Sequence, residues 1–280
     1  MSTECYEDLY RWSIAEVERF WEEIWEFTGV ISSARWTSVL DTTVKMDAVP
    51  KWYSGARLNF SENLLRNRSE KDALIEVSEP MKGEPLSYDR ISYNELYQRV
   101  SFVALALKTM GLKENMIFAF YGPTSSASVI LFLAVNSIGA IWSSAAADFG
   151  AQGVVERFSQ FGSKLWGIAG VNAVRYNGKR LDQREKLETV VKVLAGGRNE
   201  PLRVIVVDYL KEGKRAGEER MMLDELIAVG RSEADRLGVT KGQEEINFYQ
   251  GNFDQPAFIL FSSGTTGKVS QPLMRVERCS

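Results

Sequence analysis

From residue 73 onward, short runs rich in apolar and β-branched residues alternate with stretches whose apolar positions recur every three or four residues. The runs 73–77, 116–121, 140–142, 165–168 and 203–207 predict strands, each too short for a helix and bounded by turn residues. Between them, Ser92-Tyr93-Asn94-Glu95 predicts the capped start of a helix running through Leu96, Val100, Val103 and Leu107 to Gly111. Gly122-Pro123-Thr124 predicts a turn into a helix from about 125, and a further helix is expected near 153–161. Residues 182–193 read as an amphipathic helix that ends at Gly196-Gly197. Strands that alternate with helices of this length predict an α/β fold, a mostly parallel sheet with helices on both faces.

The pattern ahead of residue 73 is different. Trp12, Val17, Phe20, Trp21, Ile24 and Trp25 recur at helical spacing, Ser13 with Glu16 suggests a capping box, and Gly29 ends the period. Three tryptophans on one face are read as a packing surface. Residues 52–65 follow no regular period and suggest no chemistry. The most apolar stretch, 127–142, is interrupted by Ser128, Asn136, Ser137 and Gly139; it falls short of a membrane span and reads as buried core. The charged stretch 211–220 is expected to be a solvated loop.

Composition narrows the chemistry. The 280 residues are 45% hydrophobic and 25% charged, with a net charge of −3. That balance argues against nucleic acid as the main partner and favours small molecules. Cys5 and Cys279 stand at opposite ends and build neither a zinc site nor a disulfide framework, so the expected location is the cytosol. Glu4, Glu7 and Asp8 interrupt any secretory signal. The chain has no histidine, which excludes Ser-His-Asp and Cys-His catalysis and removes the commonest metal ligand. No metal ligand set is expected.

The stretch with the most chemistry is 258–268, an apolar strand running into Ser262, Ser263, Gly264, Thr265, Thr266, Gly267 and Lys268. Two glycines let backbone N–H groups turn toward an anion at close range, four hydroxyls add donors, and Lys268 adds a point charge. This composition predicts a phosphate cradle beyond the carboxyl end of a sheet strand, where α/β folds bind ligands. A P-loop is excluded at two fixed positions: Ser262 stands where the first glycine belongs and Val269 where the magnesium-binding hydroxyl belongs. An ordinary hydroxyl-rich turn after a buried strand is the competing reading.

Residues 261–267 resemble the phosphate-loop signature of the adenylate-forming enzymes, which include the acyl-CoA synthetases, the luciferases and the adenylation domains of peptide synthetases. Ile91-Ser92-Tyr93-Asn94-Glu95-Leu96 and Asn136-Ser137-Ile138-Gly139-Ala140-Ile141-Trp142 resemble two further motifs of that family, in the same order. The helix at 10–29, the segment 52–65, Ala147-Asp148-Phe149-Gly150 and Tyr176-Asn177-Gly178-Lys179-Arg180 are similar to its acetyl- and acetoacetyl-CoA synthetase branch. The resemblance spans about 5–268. It implies a helical N-terminal segment over 1–66, a partial AMP-binding domain over 67–268 and a divergent tail over 269–280.

It also implies a two-step ligase acting on a short keto acid, ATP with Mg2+, and CoA through an acyl-adenylate, with 262–268 on the phosphates. In the family the loop continues through Gly, a variable residue, Pro and Lys; here the lysine falls at Ser270, two positions beyond Lys268. The family's catalytic lysine and magnesium-binding glutamate have no counterpart in the sequence. The resemblance therefore implies a truncated ligase that is inactive alone, the alternatives being a non-catalytic nucleotide-binding or interaction module and a relative acting on acetate or another short acid.

Overall fold

The computed structural model describes residues 5–80, 83–214, 219–239 and 245–261. The N-terminal helical run is two helices, α1 (Tyr6–Ala15) and α2 (Val17–Thr28), joined at Glu16, which leaves helical geometry at φ −120° and ψ 60°. The expected capping box does not form. Ser13 lies inside α1 and its hydroxyl donates to the Tyr10 carbonyl (2.8 Å), while Glu16 pairs with Arg19 (3.2 Å). Gly29 ends α2 in the left-handed conformation at φ 61°, as its position predicts. Of the three tryptophans, Trp25 is buried and packs with Val39, Tyr53 and Ala56; Trp21 stacks edge-on against Trp52.

The irregular segment holds β1 (Ser38–Leu40) antiparallel to β2 (Trp52–Ser54), then β3 (Arg57–Leu58) and the short helix α3 (Phe60–Leu64). Next come β4 (Asp72–Ser78) and β5 (Ser87–Ser92), an antiparallel pair separate from the main sheet. The run 73–77 is thus a strand, as its residues predict, but not a member of the parallel sheet. Its partner is the polar strand that feeds the next helix, and of its apolar residues Ala73 and Leu74 pack on the core while Ile75 and Val77 are exposed.

Helix α4 (Tyr93–Thr109) starts at Ser92, whose Oγ accepts from the Glu95 N–H at 3.2 Å. The strands and helices then alternate as β6 (Ile117–Tyr121), α5 (Ser126–Ser137), β7 (Ile141–Ala145), α6 (Ala151–Phe158), β8 (Leu165–Val171), the hairpin β9 (Ala173–Tyr176) and β10 (Lys179–Asp182), α7 (Arg184–Ala195), β11 (Arg203–Val207), β12 (Met221–Met222) and α8 (Leu223–Arg236). A final strap carries β13 (Gly251–Asn252) and β14 (Phe258–Ile259).

Six strands form one parallel sheet in the order β12-β11-β8-β6-β7-β14. Side-chain alternation divides its core. Phe118, Phe120 and Ile205 face α4, α5 and α8, where they meet Val100, Leu107, Leu131 and Leu226. Ala119, Ile168 and Val206 face α6 and α7, where they meet Val154, Phe158, Leu187 and Val190. The sequence pattern predicts this two-faced arrangement and the structure has it. It does not predict α8 or the β9–β10 hairpin. Gly230 lets α8 lie against α4, because a Cβ there would collide with the Phe102 carbonyl.

Candidate functional site

The strap 245–261 leads to the predicted phosphate loop, and polar contacts fix it along most of its length. The Ile246 N–H donates to the Tyr97 hydroxyl (2.9 Å), and the Tyr249 N–H to the Ser137 carbonyl at the end of α5 (2.9 Å). Gly139 permits that approach: it sits at φ 81°, and a Cβ would run into the Tyr249 ring. Gln250 donates to Glu62 (2.8 Å), Gly251 pairs with Leu58, and Gln255 donates to Asn115 (3.0 Å). The Trp142 N–H donates to the Ala257 carbonyl (3.0 Å), which starts β14 in register with β7, Phe258 opposite Trp142 and Ile259 opposite Ser143. The fully buried Ser143 hydroxyl then donates to the Ile259 carbonyl (2.9 Å).

β14 runs parallel to β7, so its carboxyl end emerges at the same edge of the sheet as Tyr121 and Ala145. Phe261 follows it and packs on Phe161, ring centroids 5.7 Å apart. The next residues in the chain are the expected site residues Ser262, Ser263, Gly264, Thr265, Thr266, Gly267 and Lys268, all outside the described residues. Sequence reasoning identified this strand. It missed Ser143, and also Asn59, whose Nδ2 donates to the Tyr249 carbonyl of the strap (2.8 Å); both act through hydrogen bonds to distant carbonyls that no local pattern announces.

The neighbouring loops at this edge are ordered by polar contacts. After β7, the buried Tyr121 hydroxyl donates to the Phe149 carbonyl, and the Arg157 guanidinium lies over the Phe149 ring (4.7 Å). Burial pushes the Tyr121 hydroxyl above the ordinary tyrosine pKa, with Asp148 adding to it. After β8, Asn172 accepts from the Ala173 and Tyr209 N–H groups and donates to Asp208 (2.6 Å). Asp208 in turn accepts from the Glu212 and Gly213 N–H groups.

Near the amino ends of α5 and α8 lies an open cavity of about 370 Å3, lined in part by Glu76, Arg99, Ser125, Arg175, Tyr209 and Lys211. Its cations are engaged: Arg175 with Glu84 (3.0 Å), Lys211 with Asp89 (2.7 Å) and Arg99 with Glu95 (2.5 Å). The charged stretch expected to be a solvated loop is likewise pinned where described, through Glu212 to Arg180, Lys214 to Glu225 (2.8 Å) and Arg220 to Glu188 (2.9 Å). Opposite charges on β10, α7 and α8 draw it down. Among the described residues no group of three Asp, Glu, Cys or His side chains could hold a metal ion, and no helix is long and apolar enough to cross a membrane.

Two family models match. Residues 6–64 match that of the acetyl-coenzyme A synthetase N-terminus, and residues 61–269 match that of the AMP-binding enzymes. The chain is 38% identical over 271 residues to the acetoacetyl-CoA synthetase of Macaca fascicularis, covering 95% of this chain and 38% of the relative. It is 39% identical over 266 residues to that of Rattus norvegicus, covering 94% and 37%. Among solved structures, the acetoacetyl-CoA synthetase from Streptomyces lividans superposes with a TM-score of 0.78 at 28% identity, covering 97% of this chain and 38% of that one. The chain thus spans little more than a third of the length of these relatives. A family model matched over three quarters of its residues, on a parallel sheet of the corresponding architecture, makes this chain a member of the AMP-binding enzyme family, the adenylate-forming enzymes, and a homologue of the acetoacetyl-CoA synthetases.

Proposed function

We propose that the chain supplies the triphosphate-gripping part of an acid–thiol ligase that converts acetoacetate, ATP and CoA into acetoacetyl-CoA, AMP and diphosphate. An acid carboxylate oxygen attacks the α-phosphorus of ATP, the bond to the β-phosphate oxygen breaks, and pyrophosphate leaves. The CoA sulfur then attacks the acyl carbon, loses its proton, and AMP departs with the bonding electrons. Ser262, Ser263, Thr265 and Thr266 offer hydroxyls to the β- and γ-phosphates, Gly264 and Gly267 free the intervening amides to point inward, and Lys268 adds charge. Such chemistry rests on positioning and charge stabilisation, so a chain without histidine can contribute to it.

The observation that carries the reading is the pinned strand β14, held at both Trp142 and Ser143 and followed in the sequence by residues of this composition. The names of the relatives support acetoacetate as the acid. Mg2+ would accompany the triphosphate and shield its charge. The reading assigns 1–66 to an N-terminal segment, 67–268 to a partial AMP-binding domain and 269–280 to a divergent tail. It also assigns the protein to ketone-body and lipid metabolism in the cytosol, in keeping with the free, exposed Cys5.

Ser270, standing where the family's loop carries lysine, favours a second reading in which the chain binds nucleotide without turnover. Calorimetric titration of MgATP into the purified chain, with acetoacetate-dependent exchange of pyrophosphate into ATP, separates the two. MgATP binding is expected, weakened about tenfold by Thr266→Ala, the loss of roughly one hydrogen bond to a charged group. Exchange above the Thr266→Ala background supports the ligase, and binding without exchange supports the second reading. Absence of MgATP binding would overturn both.

A further inference from the structure

The segment ahead of residue 65 is tied directly to the strap that leads to the phosphate loop: besides the β3–β13 pairing and the bond from Gln250 to Glu62, two consecutive residues reach it. Asn59 is 5% exposed, and both ends of its amide are used. Its Oδ1 accepts from the Ser61 and Glu62 N–H groups (2.9 and 3.2 Å), which caps α3. Its Nδ2 lies 3.0 and 3.4 Å from the Asn136 and Ser137 carbonyls at the end of α5, and 2.8 Å from the Tyr249 carbonyl in the strap. One side chain thus joins the amino end of one helix, the carboxyl end of another and the strap. Phe60 follows and meets Phe258, the first residue of β14, edge-on at 6.1 Å, with Phe132 completing the triangle. Phe258 stands four residues before Ser262.

Capping alone does not account for this arrangement. Serine caps a helix as well as asparagine, but its hydroxyl is too short to cap and also reach three carbonyls. Nor does core packing account for Phe60, which is 44% exposed and yet has its ring against β14. We propose that Asn59 and Phe60 are positioning residues for nucleotide binding: the N-terminal segment sets the strap and the edge strand in the register from which the phosphate loop departs. This rests on the triphosphate reading of 262–268. It adds that affinity for the nucleotide depends on a contact in a segment that does not itself touch the phosphates.

The test compares three variants. Asn59→Ser keeps the cap and removes the reach to the strap; Phe60→Ala removes the ring against Phe258. Ser61→Ala is the control. Its hydroxyl donates to the Leu133 carbonyl (2.8 Å) and holds α3 on α5, but it has no bond to the strap. MgATP affinity is measured by calorimetry, and hydrogen exchange is followed at the amides of Tyr249 and Trp142, which donate to Ser137 and Ala257, relative to the core amide of Ile168.

Asn59→Ser and Phe60→Ala are each expected to weaken MgATP about fivefold, the loss of roughly one net interaction, and to speed exchange at one or both of the amides that bond the strap to α5 and β7. Ser61→Ala is expected to lower the melting temperature while leaving the affinity and those amides unchanged. Wild-type affinity in both test variants, or an equal loss in Ser61→Ala, would overturn the proposal. Should Asn59→Ser fail to fold, Phe60→Ala carries the comparison. If the wild type binds no MgATP, the ligase reading falls by itself, and unchanged strap exchange in Phe60→Ala would show that the positioning claim falls too.

Discussion

In the centre of the sheet, every residue of β6 and β8 is buried, and β6 is matched over its five residues to β7 without a break and to β8 with one register shift at its start. Ahead of residue 66 the strands are two or three residues long, and beyond their short backbone pairings and the small cluster around Trp25 and Tyr53, a handful of side-chain bonds to distant carbonyls fix them. Tyr53 donates to the Trp21 carbonyl (2.8 Å), Arg66 to those of Thr28 and Gly29, and Asn63 exchanges bonds with the Ile31 backbone. The first region is specified by volume and apolar area, spread over many contacts. The second is specified by a few polar atoms that must each be in one place. Conservative apolar changes should therefore be tolerated in the sheet far better than single-atom polar changes in the N-terminal segment, while large cavities in the sheet should be the most damaging change of all.

Phe118→Ala is the strongest way to break that contrast. Phe118 is fully buried, with its ring 6.2 Å from Trp142 and 6.0 Å from Trp166. Truncating it removes the apolar contact and leaves a void between the sheet and its helices, a loss of about 3–5 kcal/mol. Thermal melts should show a large drop in midpoint, with near-UV circular dichroism lost together with the far-UV signal. A loss under about 1 kcal/mol would mean that the sheet collapses around the gap and that its packing is looser than the burial suggests.

The same contrast decides what was legible in the sequence. β6, β8 and β11 could be read from short apolar runs because central parallel strands are covered on both faces and need no polar positions. The run at 73–77 looks the same, yet it pairs antiparallel with β5, whose outward residues Ser87, Tyr88, Asp89 and Arg90 give no strand period. The helix start at Ser92 was legible because a cap is local, its donor and acceptor three residues apart, and the start near Ser125 because the Gly122-Pro123-Thr124 turn precedes it. Asn59 was not, since its partners lie 77 and 190 residues away. For the candidate site, the sequence showed both the hydroxyl- and glycine-rich run 262–268 and the apolar strand that leads there. The contacts at Trp142, Ser143 and Tyr249 that hold this strand became visible only with the chain folded.

Tyr53→Phe sharpens the comparison from the other side. The ring keeps its packing against Trp25 and Phe253, both 4.7 Å away, and only the hydroxyl is lost. The Trp21 carbonyl loses its donor from Tyr53. A cost of about 1 kcal/mol is expected from one net hydrogen bond, and tryptophan fluorescence should report it, because Trp21, Trp25, Trp36 and Trp52 lie in this segment. A neutral result would show that aromatic packing alone fixes the segment, and the proposed distinction between the two regions would lose its basis.

The smallest effect comes from alkaline pH, to which each region contributes a buried tyrosine. Burial raises the pKa of Tyr53; burial and the nearby Asp148 charge raise that of Tyr121. In both cases the fold holds the neutral phenol more firmly than the unfolded chain does. The stabilisation is fully present below the ordinary tyrosine value of 10.0 and is lost as pH climbs from there through the raised folded values. Melting temperature should therefore fall above pH 10, and Tyr121→Phe should flatten that fall even though it removes a hydrogen bond and lowers stability at neutral pH. Tyr53→Phe should flatten it less, since no carboxylate adds to the raised pKa there. Equal slopes in the two variants would assign the whole effect to burial and leave the Asp148 charge without influence on Tyr121.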